Sequence, residues 1–186
     1  MSPETGRTEV SRAALLRGYA EAAVLLVVAL TGLCWVVWRG PSVSIPAGAL
    51  VGPMLAHFWL TALVWLVMVV ARNAAVLRGK VSVAYFVAFQ ADVPREHVER
   101  PARAFDNLMQ VPTLFYVICL LMLVTERADA QQLGVAWAFV VLRALHAALY
   151  ITLNRVPLRF ASWVSSCIAL GVLWYRFAPL RALSGG

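Results

Sequence analysis

Five long apolar stretches, residues 22–38, 54–71, 108–124, 133–152 and 160–177, constrain this chain more than any motif does. Each approaches the roughly 20 residues that a helix needs to cross a hydrocarbon core of about 30 Å. The runs are continuous rather than alternating apolar and polar, which argues against the strands of a membrane barrel. Hydrophobic residues make up 62% of the 186, well above the roughly half found in water-soluble domains. The chain is therefore expected to fold as an all-α integral membrane protein with five spans.

The net charge of +7 is distributed by topology. With the N-terminus placed inside, one side of the membrane receives Arg7, Arg12, Arg17, Arg72, Arg78, Lys80, Arg95, Arg100, Arg103, Arg155 and Arg159. The other side receives only Arg39, Arg127, Arg176 and Arg181, and Arg143 lies within a span. This positive-inside bias puts the N-terminus in the cytoplasm and the C-terminus outside. The basic balance then needs no nucleic acid, although it favours anionic lipid headgroups. An Ala-, Val- and Arg-rich composition suggests a bacterial inner membrane. The first apolar stretch is longer than the roughly 7–15 residues of a signal-peptide core and reads as a retained anchor. Cys34, Cys119 and Cys167 lie within apolar spans without paired spacing, so they read as small buried hydrophobes.

Residues 1–12 read as a polar tail, followed by a first helix from about Ala13 to Trp38 in which Arg17 and Glu21 are spaced as an i,i+4 pair. Residues 39–53 carry three prolines and three glycines and form a loop. The first unit, residues 1–51, thus adds a tail, a helix and a loop to a four-helix membrane domain over 52–186. Residues 81–89, "VSVAYFVAF", are too short to span and suit an interfacial segment. The connections at 125–132 and 153–159 are short, which makes the last three helices antiparallel neighbours.

Two polar stripes interrupt the apolar pattern. Arg103, Asn107 and Gln110 recur at i, i+4, i+7, and Arg143, His146 and Tyr150 at i, i+3, i+7, so each set shares a helix face. Arg143 lies about 15 Å of helix before the exit at Leu153, near the bilayer midplane. A charge there costs at least about 2.5–3.5 kcal/mol unless it faces protein or water. Both stripes fall in the cytoplasmic half, where Arg155 and Arg159 add cations. The sum suits a small polyanion from the cytosol meeting an apolar partner from the membrane. Taken singly, Asn107 and Gln110 also suit interhelical hydrogen bonds, and Arg103, Arg155 and Arg159 suit headgroup anchoring. Arg143 fits neither description. No HExxH or CxxC pattern is present, so no metal is expected.

Three stretches, "RAFDNLMQVP" (103–112), "RALHAALY" (143–150) and "RVPLR" (155–159), resemble motifs of the MAPEG family, the membrane-associated proteins in eicosanoid and glutathione metabolism. They match Arg-x-x-x-Asn-x-x-Glu in that family's second helix, Arg-x-x-His-x-x-x-Tyr in its third, and Arg-x-Pro-x-Arg at the entry to its fourth. The resemblance covers about residues 52–178, as in the family's glutathione transferase and prostaglandin E synthase branches. It implies a homotrimer of four-helix protomers, here with one extra N-terminal helix, that binds glutathione between subunits. By matched position Arg103, Asn107, Gln110, Arg143, His146, Tyr150 and Arg155 would hold the tripeptide, and Arg159 would stabilise its thiolate. Gln110 stands where the family pattern has Glu. Asp106 stands at a position that is basic in the prostaglandin branch, and Phe160 where that branch has Ser.

The resemblance implies a glutathione-dependent membrane transferase or peroxidase acting on lipophilic electrophiles or lipid hydroperoxides. A second reading is a non-catalytic member that binds lipid or serves as a subunit of a larger membrane assembly. A channel or transporter is disfavoured by five spans without an inverted repeat.

Overall fold

The structure, a computed structural model, describes residues 12–39, 43–81 and 96–178. Helix α1 runs Arg12–Arg39. A 3-10 turn at Ala47–Leu50 leads into α2, Val51–Leu77. Helices α3, Glu96–Gln110, and α4, Pro112–Val124, follow one another, then α5, Ala130–Ile151, and α6, Val156–Phe177. Five spans are long and apolar enough to cross a membrane, with α3 and α4 together forming the third, Val98–Val124. The protein is a helical integral membrane protein, and Trp35, Trp59, Leu63 and Trp65 are among the large apolar side chains on its exterior. Lipid makes that exterior stable, because tails solvate such side chains as well as a core would.

Local chemistry sets the breaks. Pro112 has no N–H for the carbonyl one turn back, and its ring clashes there, so the third span breaks between Gln110 and Pro112. Helix α5 opens with a capping box. The Asp129 side chain accepts from the Gln132 N–H at 2.7 Å, and the Gln132 side chain accepts from the Asp129 N–H at 2.9 Å. The turn from α5 to α6 is closed by Asn154 at φ 48°, a left-handed position that asparagine tolerates better than most residues. Its N–H donates to the Leu149 carbonyl at 2.7 Å. That turn aims both Arg155 and Arg159.

The core sits where α4, α5 and α6 meet, around Phe115, Ile118, Met122, Val135, Phe139 and Leu173, all fully buried. Half of the α5 span is buried against 11% of the α1 span, which makes α5 the central helix and α1 a peripheral one. Helix α1 lies chiefly along α6 and also meets α5. A Cβ at Gly134 would fall 2.7 Å from Val36 Cγ1, so glycine is what admits α1 so closely there. At the opposite end from Arg155, the 43–45 segment is tied to the start of α5. Ile45 N–H donates to Ala128 O at 3.1 Å, and Ala130 N–H to Val43 O at 3.1 Å.

Two expectations need correction. Glu21 does not pair along its own helix with Arg17. Its carboxylate meets the Arg155 guanidinium at 2.6 Å, because the α5–α6 turn delivers that arginine onto the α1 face. Cys34 is exposed rather than buried, since it lies on a span only 11% buried within the protein. Cys119 is buried, Cys167 is half-buried, and all three thiols are free. The tail expected over 1–12 and the interfacial segment expected over 81–89 lie almost wholly outside the described residues.

Candidate functional site

The polar face of α5 is the frame of the site. Arg143, His146 and Tyr150 are 0%, 4% and 9% exposed, so this stripe faces protein rather than lipid. The Arg143 Nη2 donates to the backbone carbonyl of Asn107, near the end of α3 and about one turn before the Pro112 break. Helices α3 and α5 therefore meet here through a guanidinium and a main-chain oxygen, not through the side chains of the α3 stripe. That bond is to a carbonyl rather than a carboxylate, so it leaves the buried positive charge uncompensated. The Nε and Nη1 of Arg143, and the Nε2 of His146, have no hydrogen-bond partner in the protein. Each is a buried polar atom, which normally carries a cost of about 1–3 kcal/mol or more when unsatisfied.

His146 links α5 to α6. Its Nδ1 lies 2.9 Å from the Arg159 carbonyl oxygen. A carbonyl only accepts, so Nδ1 carries the proton and Nε2 is left as a bare acceptor. The Ser162 hydroxyl donates to the same carbonyl at 2.8 Å. One turn further along, the Arg159 guanidinium carbon sits 4.0 Å over the Tyr150 ring, a cation–π contact. Its Nη1 donates to the Asn154 side-chain oxygen at 2.7 Å. Arg159 is thus held from both sides while remaining half-buried.

The expected residues separate into two groups. On the buried face of α5, Arg143 pairs with the Asn107 carbonyl, and His146, Tyr150 and Arg159 contact one another. Arg103 and Gln110 stay exposed on α3, and the Asn107 side-chain amide turns back to the Arg103 carbonyl at 2.9 Å. Arg155 is drawn toward α1 by Glu21. The sequence pattern assigned no site role to Ser162, Asn154 or Glu21. Asn154 carries a weak signal, lying one turn beyond Tyr150 on the same face, whereas Ser162 and Glu21 carry none. Arg100 closes the same end of the bundle, its Nη1 donating to the Thr152 carbonyl at 3.2 Å. Among the described residues no group of three His, Cys, Asp or Glu side chains converges to hold a metal ion.

Chemically, the cluster offers fixed cations and spare donors with no acid between them. That combination binds an anion and lowers the free energy of a charge developing beside Arg159. A family model, the MAPEG family, matches residues 50–178, which is α2 through α6 with α1 left outside. No curated protein and no solved structure matches the chain.

Proposed function

The chain belongs to the MAPEG family, and from that premise we propose that it is a glutathione-dependent membrane transferase or peroxidase acting on lipophilic electrophiles or lipid hydroperoxides. The single observation that carries the reading is Arg159, fixed by Tyr150 and Asn154 at one end of the α5 face whose other end is the buried Arg143, with two guanidinium nitrogens unpaired. Glutathione has two carboxylates and a thiol. The donor set fits it: Arg143 supplies unpaired N–H groups, His146 an unpaired acceptor for an ammonium or amide, and Arg159 a half-buried cation for the sulfur.

A free thiol has a pKa of about 8.5, so at neutral pH most of it is protonated and poorly nucleophilic. A guanidinium beside the sulfur favours the thiolate. In the transferase reaction the thiolate forms a carbon–sulfur bond and the electrophile's leaving group departs with the bond electrons. In the peroxidase reaction two glutathione molecules reduce one hydroperoxide, giving the disulfide, the alcohol and water. Arg143, His146, Tyr150 and Asn107 act by binding and orientation. Exposed Arg103 and Gln110 suit a site completed by a neighbouring copy in a homotrimer. The basic end of the bundle would face the cytosol, in a bacterial inner membrane.

The test is an ultraviolet difference spectrum of detergent-purified protein titrated with glutathione, with S-methyl glutathione as blank. A saturable thiolate band in wild type that falls at least about tenfold in Arg159→Ala is the expected result. Absence of the band at saturating glutathione overturns the catalytic reading. One observation favours the second reading, a non-catalytic member that binds lipid or joins a larger assembly: Glu21, from the helix outside the family match, neutralises Arg155. Co-purified lipid or a partner subunit, without thiol-dependent turnover, would identify that case.

A further inference from the structure

A second buried histidine lies away from this cluster. His57 of α2 is fully buried and ringed by aromatic side chains. Phe115 and Phe139 have centroids 6.0 Å away, and Tyr116 has its centroid at 5.6 Å, edge-on. The His57 Nδ1 lies 3.1 Å from the Tyr116 hydroxyl, which also lies 3.4 Å from the Met54 carbonyl oxygen. A phenol has one proton and a carbonyl can only accept. Both contacts are satisfied together only if Nδ1–H donates to the phenol oxygen and the phenol proton points toward Met54. At 3.4 Å that last bond is well beyond the usual O–H···O range of 2.5–3.0 Å. The Tyr116 proton is therefore weakly held, while His57 Nε2 has no partner in the protein.

Tyr116 is also a wall of a groove of about 590 Å³ between α2 and the α3–α4 helix. That volume is within the roughly 300–1,000 Å³ of small-molecule sites. Its other walls include Phe58, Ala62, Trp65, Met109 and Val117, and no acidic or basic residue contributes. Thr61 and Thr113 also line it, but their hydroxyl protons go to the His57 and Met109 carbonyls at 3.0 and 2.8 Å. Of the side-chain donors in the lining, the Tyr116 phenol is the weakly committed one backed by a buried imidazole. The Trp65 indole N–H also borders the groove, about two turns along α2 from His57, but no imidazole backs it.

We propose that this groove binds a neutral, lipid-soluble molecule bearing a hydrogen-bond-accepting oxygen, such as a carbonyl, with the Tyr116 hydroxyl as donor and His57 holding that hydroxyl in place. Neutrality follows from the uncharged walls, since a charge would lose its hydration with nothing to replace it. The accepting oxygen follows from the Tyr116 donor that His57 supports. The ligand body then lies along the aromatic and aliphatic walls between Phe58 and Trp65. The site uses none of the residues assigned to glutathione, so it stands apart from that reading.

Benzophenone is a suitable probe, being a neutral aryl ketone that adds across nearby C–H bonds when irradiated. Photolabelling is run on the full chain in lipid nanodiscs without any thiol, and adducts are mapped by mass spectrometry. Saturable labelling centred on Met109 and Val117 is expected. Tyr116→Phe, which keeps the ring, should raise the half-saturating concentration about three- to tenfold. Ala62→Trp, which fills the groove, should abolish labelling at Met109. Labelling that rises linearly with concentration and spreads over the outward-facing residues of α1 would overturn the proposal. So would saturable labelling at Met109 that Tyr116→Phe leaves unchanged. Because no glutathione is present, either outcome is independent of the thiolate experiment.

Discussion

His146 and His57 are both buried and both offer Nδ1 to a partner while Nε2 has none, yet their surroundings differ in kind. His146 sits among hydrogen-bonding groups, between the Arg159 carbonyl, Ser162 and Tyr150. It ties α5 to α6 at the end of the bundle where cations gather. His57 sits among rings, against Phe115 and Phe139 that themselves stack at 4.5 Å, and its one side-chain polar contact is a phenol that walls an apolar groove. Burial alone therefore does not tell what a membrane histidine does. The neighbours decide: polar neighbours make the imidazole a connector in a cationic cluster, and aromatic neighbours make it a support for a single donor.

The largest effect should come from the aromatic region. Phe139 is fully buried against both His57 and Phe115, so Phe139→Ala should cost about 3–5 kcal/mol, read as a lowered midpoint of thermal unfolding in detergent. A cost smaller than that of any His146 variant would show that the rings are not the structural centre. The histidines themselves give the sharper contrast. His146→Phe strips a donor from the Arg159 carbonyl and should cost about 1–3 kcal/mol, with glutathione binding weakened as Arg159 loses its anchor. His57→Phe puts a ring among rings and should cost less than about 1.5 kcal/mol. Equal losses for the two would break the comparison.

The smallest effect on stability is expected at Glu21. Its ion pair with Arg155 is well exposed, with side chains 36% and 46% accessible, so solvent screening holds its contribution below about 1 kcal/mol. Glu21→Gln should leave unfolding nearly unchanged while releasing Arg155. Titration calorimetry with glutathione should then show affinity rising about two- to fivefold, the size of one exposed charge contact. A fall in affinity would mean instead that Glu21 positions Arg155 for the ligand.

Much of the architecture is local and was therefore legible. Continuous apolar runs gave the five spans, prolines and glycines marked the loop after the first of them, and the three- and four-residue spacings put Arg143, His146 and Tyr150 on one face of α5. These follow from the 3.6-residue period and from the backbone chemistry of a few residues, which each helix expresses without reference to its neighbours. What each polar group meets was decided elsewhere. Arg143 finds the Asn107 carbonyl because Pro112 breaks the third span just beyond it. Glu21 finds Arg155 rather than Arg17 because Asn154 turns the chain onto α1. His57 meets Tyr116 because α2 and α4 pack at one particular rotation and height. Such pairings join residues from 36 to 134 positions apart, and no local period records them; they follow from how the helices are rotated, shifted and kinked against each other.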